Sequence, residues 1–255
     1  MELSKTQVAF FRTEGWLAVE NFWSEVEVAA MRKELERLKS EGKLRNVATD
    51  GDGTTHSTTK INLQLCPMWP HSEFFKAMPF APKVVEAIEA LLGSPALLHL
   101  DQVFLKPGKH GAGTNWHQDN AYFQIPDPLK GTALWTAVHD ATLANGTLKV
   151  IPRAFSEPLP HERDGFSDHH IRCWPDESQA IPVELKAGGA IFFCYGTPHA
   201  TGANTTDDER AGVALHFIHT DQSGEARSGF EPGKRPPLAP DAAAWDAQVD
   251  TALSN

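Results

Sequence analysis

The sequence predicts a mainly β protein with helices packed against it, and two observations carry that expectation. From Leu97 onward, short apolar stretches are separated by Gly, Pro and Asn turn residues, the punctuation of a sandwich or barrel. Before Leu97 the hydrophobic period is that of helices, each with recognisable end signals. At 255 residues the chain is long enough for one well-filled core. A single domain is therefore expected, with residues 1–96 as helical support, 97–220 as the β core and 221–255 as a C-terminal tail.

The first helix opens on the capping-box pattern Ser4-Lys5-Thr6-Gln7, carries Val8, Phe10 and Phe11, and stops near Gly15. Trp16-Leu17-Ala18-Val19 reads as a strand. A second capping box, Ser24 to Glu27, starts a longer helix whose Val28, Met31, Leu35 and Leu38 recur at helical spacing until Gly42. Asp50 to His56 has no periodicity and two glycines, which makes it a loop; it lacks the closing Glu of a calcium loop. Lys60 to Leu65 alternates, so a strand is expected in which Lys60, Asn62 and Gln64 share one face, either lining a cavity or, the preferred reading, facing water. Pro82 to Leu92 forms a helix, with Pro82 in its first turn and Gly93 just past its end.

In the β region, Leu97 to Leu105 is one strand and Gly108 to Thr114 a glycine-rich link into Trp116-His117-Gln118-Asp119. Thr132 to Asp140 is another strand, and Asn145-Gly146 signals a hairpin turning back antiparallel into Thr147 to Ile151. The polar insert between Phe155 and Pro182, with His161, His169, His170, Arg172 and Trp174, has no clear period and is expected to act as a flap over a cavity mouth. Gly188 to Tyr195 is a turn and a strand that delivers Pro198-His199. In the strand after Arg210, that residue, Gly212 and Ala214 share a face, leaving room for a ligand beside the guanidinium. His139, His216 and His219 are read as strand or wall residues. The tail after Asp221 is polar and rich in Gly and Pro, with a short helix near Trp245.

A net charge of −10 argues against phosphate-backbone binding, which needs clustered Lys and Arg, so nucleic acid is not an expected partner. Cys66, Cys173 and Cys194 are odd in number and share no CxxC spacing, as reduced thiols of a cytoplasmic protein do. The first residues include Glu2 and Lys5 and no long apolar run, so neither a signal peptide nor a membrane span is expected.

The chemistry concentrates at Asn115-Trp116-His117-Gln118-Asp119, with His199 and Arg210 further along. Side chains two apart in an extended segment point to the same side, so His117 and Asp119 converge. Two imidazoles and a carboxylate on one face of an octahedral ion leave room for a bidentate acid and dioxygen, which suits non-haem Fe(II) better than a closed zinc site. About eight short antiparallel strands around such a site make a double-stranded β-helix of the jelly-roll, cupin-like kind.

Several phrases in order, namely Phe104 to Gly108, Trp116 to Asp119, Leu134 to Ala141, Asn145 to Leu148, Ile151-Pro152, His199 to Asn204 and Arg210-Ala211, resemble the phytanoyl-CoA dioxygenase family. Gly189 and Phe155 depart from it, where the family more often has an acidic residue and a His. The resemblance implies that His117, Asp119 and His199 bind Fe(II) and that Arg210 holds the distal carboxylate of 2-oxoglutarate. It implies Asn115, Trp135 and Thr201 beside that cosubstrate. The implied reaction consumes dioxygen, converts 2-oxoglutarate to succinate and carbon dioxide, and hydroxylates a small-molecule or acyl substrate. No basic cluster suits a CoA diphosphate; the histidines of the insert and Arg172 suit an acidic substrate. Two other readings use the same residues: a non-catalytic cupin-like module that binds a metal or small acid, and a different metal enzyme, such as a zinc hydrolase, on the same scaffold.

Overall fold

The structure is a computed structural model that describes residues 2–254. In chain order its elements are α1 (Lys5–Glu14), β1 (Trp16–Val19), α2 (Glu25–Ser40), β2 (Arg45–Asn46), β3 (Leu63–Leu65), α3 (Glu73–Ala77), α4 (Pro82–Leu92), β4 (Ala96–Lys106), β5 (Thr114–His117), α5 (Asn120–Phe123), β6 (Gly131–Ala137), β7 (Leu148–Val150), β8 (Glu162–Arg163), β9 (Ile171–Arg172), β10 (Ile181–Pro182), β11 (Ala190–Cys194), β12 (His199–Thr201), β13 (Arg210–His219) and α6 (Ala242–Ser254).

The helix ends follow local chemistry. In α1 and α2 the Ser4 and Ser24 hydroxyls accept the backbone N–H groups of Gln7 and Glu27, whose side chains accept in return from the capping residue's N–H. Each such cap is worth about 1 kcal/mol. Gly15 ends α1 at φ +82°, a left-handed conformation that costs a β-carbon.

Two sheets form the jelly roll. The larger runs β1-β11-β6-β13-β4-β3-β2 and the smaller β10-β7-β12-β5. Four strands of each, β11, β6, β13 and β4 against β10, β7, β12 and β5, make the double-stranded β-helix, and every pairing is antiparallel. The larger sheet is covered on both faces. On one side Val103, Leu134, Val213 and Leu215 pack with Met31 and Leu38 of α2 and Ile88 of α4. On the other, Trp135, Ile191 and Phe193 meet Leu148 and Val150 of the smaller sheet. This explains why β6 and nearly all of β13 are buried instead of alternating with water-facing residues.

Tertiary packing overrides the sequence reading at three places. Asn145-Gly146 turns the chain, but not as a hairpin: β7 pairs with β10 and β12, while β6 lies in the other sheet between β11 and β13. The Asn145 side chain closes that turn by bonding the Thr142 N–H and the Asp140 carbonyl. Asn62 and Gln64 do not face water. They are buried, and only Lys60 is exposed, lying over the Phe166 ring at 5.1 Å. The C-terminal helix is longer than expected and docks Trp245 against Trp23 and Phe74, its indole N–H donating to Glu27.

Candidate active site

His117 is the last residue of β5 and His199 the first of β12. The two are direct partners in the antiparallel ladder, with ring centroids 4.2 Å apart. Asp119 follows two residues later, but the strand has already ended. Its backbone is helical (φ −57°, ψ −33°) and it precedes α5, so the turn into that helix, rather than continued alternation, swings its carboxylate toward the imidazoles. Candidate ligand atoms of His117, Asp119 and His199 all lie within 4.8 Å of one another.

The tautomers are set from behind. His117 Nδ1 lies 2.9 Å from the Asn115 carbonyl and His199 Nδ1 3.0 Å from the Thr197 carbonyl. A carbonyl only accepts, so both Nδ1 atoms carry the proton and both Nε2 lone pairs are free. Each Nε2 is 3.7 Å from Asp119 Oδ1. The carboxylate is buried, its Oδ2 has no hydrogen-bond donor, and burial pushes its pKa up to about 7. Burial also pushes His117 down to about 4 and His199 well below its ordinary value, so both rings are neutral. Two lone pairs and an uncompensated carboxylate converging in a dry site fit a divalent cation, and the N and O donors fit iron.

Beside this cluster lies a pocket for an anion. Arg210 opens β13, Lys106 closes β4, and they face each other in register; both are about 1 % exposed. The Lys106 ammonium donates to Thr201 Oγ1 at 2.7 Å and to the Gly202 carbonyl at 2.5 Å. Arg210 donates Nη2 to the Gly146 carbonyl, leaves Nε without a partner, and lies 5.5 Å from the Trp135 ring centre. No carboxylate among the described residues offsets either cation. Burial pulls Arg210 down to about 10 and Lys106 well below its usual range. Lys106, Arg210, Thr201 and Trp135 line one cavity with the His117-Asp119-His199 cluster. The room that Gly212 leaves is filled by protein: a β-carbon there would sit 2.4 Å from the Trp135 indole, so the glycine seats that ring beside Arg210.

Asn115 does not reach this pocket with its side chain. Its amide donates to Asp164 of the insert at 2.9 Å, and its contribution to the site is the carbonyl behind His117. His139 is elsewhere, accepting the Ala211 N–H at 3.1 Å. Sequence reasoning missed Lys106, Gln102 and His216, which line the cavity, whereas Gln64 and His170, to which it allows a place at the cavity, line it or the chamber next to it. A signal existed in β4, where Gln102, Phe104 and Lys106 alternate onto one face of a strand otherwise apolar enough for the core. His170 stacks near His117 with ring centroids 5.6 Å apart.

The insert is ordered and tied down. The Gln118 side chain, buried under it, donates to the carbonyls of Glu157 (3.0 Å) and Gly196 (2.6 Å) and accepts the Leu159 N–H (2.8 Å). The Cys173 N–H donates to the Trp116 carbonyl. The insert is thus part of the wall, and its removal would strip partners from residues flanking the metal cluster.

A buried His-Asp-His cluster that could hold a divalent metal, opening onto a pocket lined by Lys106 and Arg210 between the sheets of a jelly roll, is the equipment of Fe(II)- and 2-oxoglutarate-dependent oxygenases. The comparisons agree. The phytanoyl-CoA dioxygenase (PhyH) family description matches residues 11–212. Phytanoyl-CoA dioxygenase 1 of Oryza sativa subsp. japonica is 26% identical over 271 residues, covering 92% of this chain and 96% of its own. The ectoine dioxygenase of Bordetella parapertussis is 23% identical over 238 residues, covering 84% and 75%. Among solved structures, the non-heme alpha ketoglutarate dependent carbocyclase SnoK from nogalamycin biosynthesis superposes with a TM-score of 0.75 at 19% identity, covering 93% of this chain and 97% of its own. EctD from S. alaskensis, solved with 2-oxoglutarate and 5-hydroxyectoine, gives 0.70 at 20% identity, covering 93% and 88%. The chain belongs to the phytanoyl-CoA dioxygenase family. It is a 2-oxoglutarate-dependent dioxygenase, with Fe(II), 2-oxoglutarate and dioxygen as its metal and cosubstrates. No helix among the described residues is long and apolar enough to cross a membrane.

Proposed function

We propose that His117, Asp119 and His199 hold the iron, that Arg210 and Lys106 hold the distal carboxylate of 2-oxoglutarate, and that the enzyme hydroxylates a small molecule. The observation that carries this reading is one cavity containing both a buried His-Asp-His cluster and two buried basic side chains, Lys106 and Arg210, with no carboxylate partner among the described residues. Iron(II) with 2-oxoglutarate supplies dioxygen activation, coupling decarboxylation to succinate and carbon dioxide with oxidation of a C–H bond. The protein's part is orientation and dryness. The Asn115 and Thr197 carbonyls aim the imidazoles, the Arg210 fork grips a carboxylate through two parallel hydrogen bonds, and Trp135 keeps water from the guanidinium. Fe(II) with Asp119 carries a net single positive charge, which the 2-oxoglutarate dianion reverses. The Arg210 charge brings the sum to zero without Lys106, whose proton burial disfavours and a neighbouring carboxylate would favour.

The substrate is proposed to occupy an adjoining chamber that shares His117 and Asp119 and is walled by Gln64, Gln102, Tyr122, Phe123 and His169. That lining has no Lys or Arg, and Arg172 lies over the Trp174 ring at 4.7 Å instead. An uncharged molecule with hydroxyl or carbonyl groups suits these amides and rings better than the acid expected from the sequence. Anaerobic titration with Fe(II) and 2-oxoglutarate tests the assignment. A visible charge-transfer band that needs both, and is lost in His199→Ala, is expected. A module without catalysis gives no succinate, and a zinc hydrolase gives neither band nor oxygen uptake.

A further inference from the structure

The Asp119 carboxylate is held between two different sets of neighbours. Oδ1 faces the two Nε2 atoms of the histidine pair, each 3.7 Å away, whereas Oδ2 faces His216 Nδ1 at 3.5 Å. Oδ2 and His216 Nδ1 are both buried, and neither has a hydrogen-bond partner, so their 3.5 Å approach is a contact that falls short of a hydrogen bond. His216 is about 2 % exposed and sits on the inward face of β13 with Arg210, Gly212 and Ala214.

Behind His216 runs a chain of amides. Gln102 Nε2 lies 3.1 Å from His216 Nε2, and Gln64 Nε2 donates to Gln102 Oε1 at 3.0 Å. These contacts have one consistent polarity. Gln64 donates to Gln102, Gln102 donates to His216 Nε2, and His216 must then carry its proton on Nδ1, toward Asp119. Flipping both amides would make His216 Nε2 the donor and turn the Nδ1 lone pair onto the carboxylate, which is repulsive. The chain joins β3, β4 and β13, three neighbours in the larger sheet.

Resting on the iron assignment above, we propose that Gln64, Gln102 and His216 form a positioning relay. The relay presents one N–H to Asp119 Oδ2, so that the carboxylate meets the metal through Oδ1 alone and the remaining coordination positions stay open for the cosubstrate and dioxygen. His216 is thus a positioning residue acting through Asp119, and neither a ligand nor an acid-base group. An N–H held on the distal oxygen also removes the freedom of the carboxylate to rotate into a two-oxygen clasp. Supports of this kind are worth about ten- to a hundredfold in metal affinity.

The test is anaerobic titration of the full chain with Co(II) as a stand-in, reading affinity and the visible cobalt spectrum, with 2-oxoglutarate affinity measured at saturating metal. His216→Leu is expected to weaken Co(II) about ten- to a hundredfold and change the spectrum, while 2-oxoglutarate affinity moves less than about threefold. His216→Asn, whose amide can place an N–H where Nδ1 was, is expected to recover most of the affinity, whereas His216→Gln, reaching further, does not. Gln102→Leu, which touches no ligand, is expected to fall between parent and His216→Leu and serves should the latter fail to fold. Parent-like affinity and spectrum in both His216→Leu and Gln102→Leu would overturn the relay, and equal loss in His216→Asn and His216→Leu would overturn its N–H polarity. A parent that binds no metal would sink the iron assignment itself, a distinguishable result.

Discussion

Lys106 and Arg210 stand opposite each other across β4 and β13, two buried basic side chains in register, and neither has a carboxylate partner among the described residues. Buried charge without a partner is costly, so the pair makes sense only as a site that an anion completes. Arg210→Lys keeps charge but loses the planar fork, and Lys106→Met loses a donor. Each is expected to weaken 2-oxoglutarate about tenfold or more, at roughly 1.5–3 kcal/mol per charged hydrogen bond. Saturation curves for succinate formation measure this, and an unchanged curve in both variants would move the anchor elsewhere.

His199→Ala removes one nitrogen donor from a cluster in which three residues, among those described, could hold a metal. Iron retention and succinate formation are expected to vanish while the melting transition persists, because His199 sits at the mouth of a short strand rather than in the helix-packed core. Full iron content in the purified variant would show that the ligand set is misassigned.

Gly212 is needed for its missing side chain. Adding a methyl group would put an atom 2.4 Å from the Trp135 indole, which then has to leave its place beside Arg210. Gly212→Ala is expected to cost about 1–3 kcal/mol of stability and to raise the 2-oxoglutarate KM more than it lowers iron affinity. Equal loss of both, or of neither, argues that Trp135 does not help seat the cosubstrate.

Asp101 lies away from the metal cluster and supplies a pH test. Its Oδ1 accepts the Met68 N–H at 3.1 Å, its Oδ2 has no partner, and burial raises its pKa from 3.8 to about 7. The fold therefore keeps a proton that the unfolded chain releases. The stability this contributes is full below about pH 4 and is lost as pH rises through 7, at up to ~1.4 kcal/mol per unit. Asp101→Asn retains the acceptor and cannot ionise, so it should gain on the parent steadily across that window in urea melts. Parallel profiles would mean that Asp101 is ionised in the fold.

The insert offers a contrast between a wall residue and a surface one. His170 lines the chamber and bonds the Tyr122 hydroxyl at 3.1 Å, whereas Trp174 is 58% exposed. His170→Ala is expected to uncouple the reaction, with succinate released in excess of hydroxylated product, and Trp174→Ala to leave the ratio near the parent's. Product-to-succinate stoichiometry, measured once a substrate is found, decides it.

What the sequence determined by itself is what local chemistry determines. Ser4 and Ser24 bond groups three residues away, Pro82 and Gly93 bracket α4 by backbone preference alone, and the spacing of His117 and Asp119 brings two candidate ligands onto one short stretch. His199 and Arg210 were legible through the order of the family-like motifs that hold them, and the structure places each at the opening of a strand. Tertiary structure alone decided the rest. Whether Asn145-Gly146 made a hairpin depended on which strands were free to pair with β7, and those were β10 and β12, both far along the chain. Asn115 turned to Asp164 because the insert folds back over β5. Lys106 came to stand beside Arg210 only through the register of β4 and β13, and His216 beside Asp119 only through the meeting of the two sheets, which sets the turn after β5 against β13. Turns and caps are specified by bonds between near neighbours in the chain. Register and the meeting of two sheets are specified by apolar faces that must be buried together, and a single sequence does not say which faces those will be.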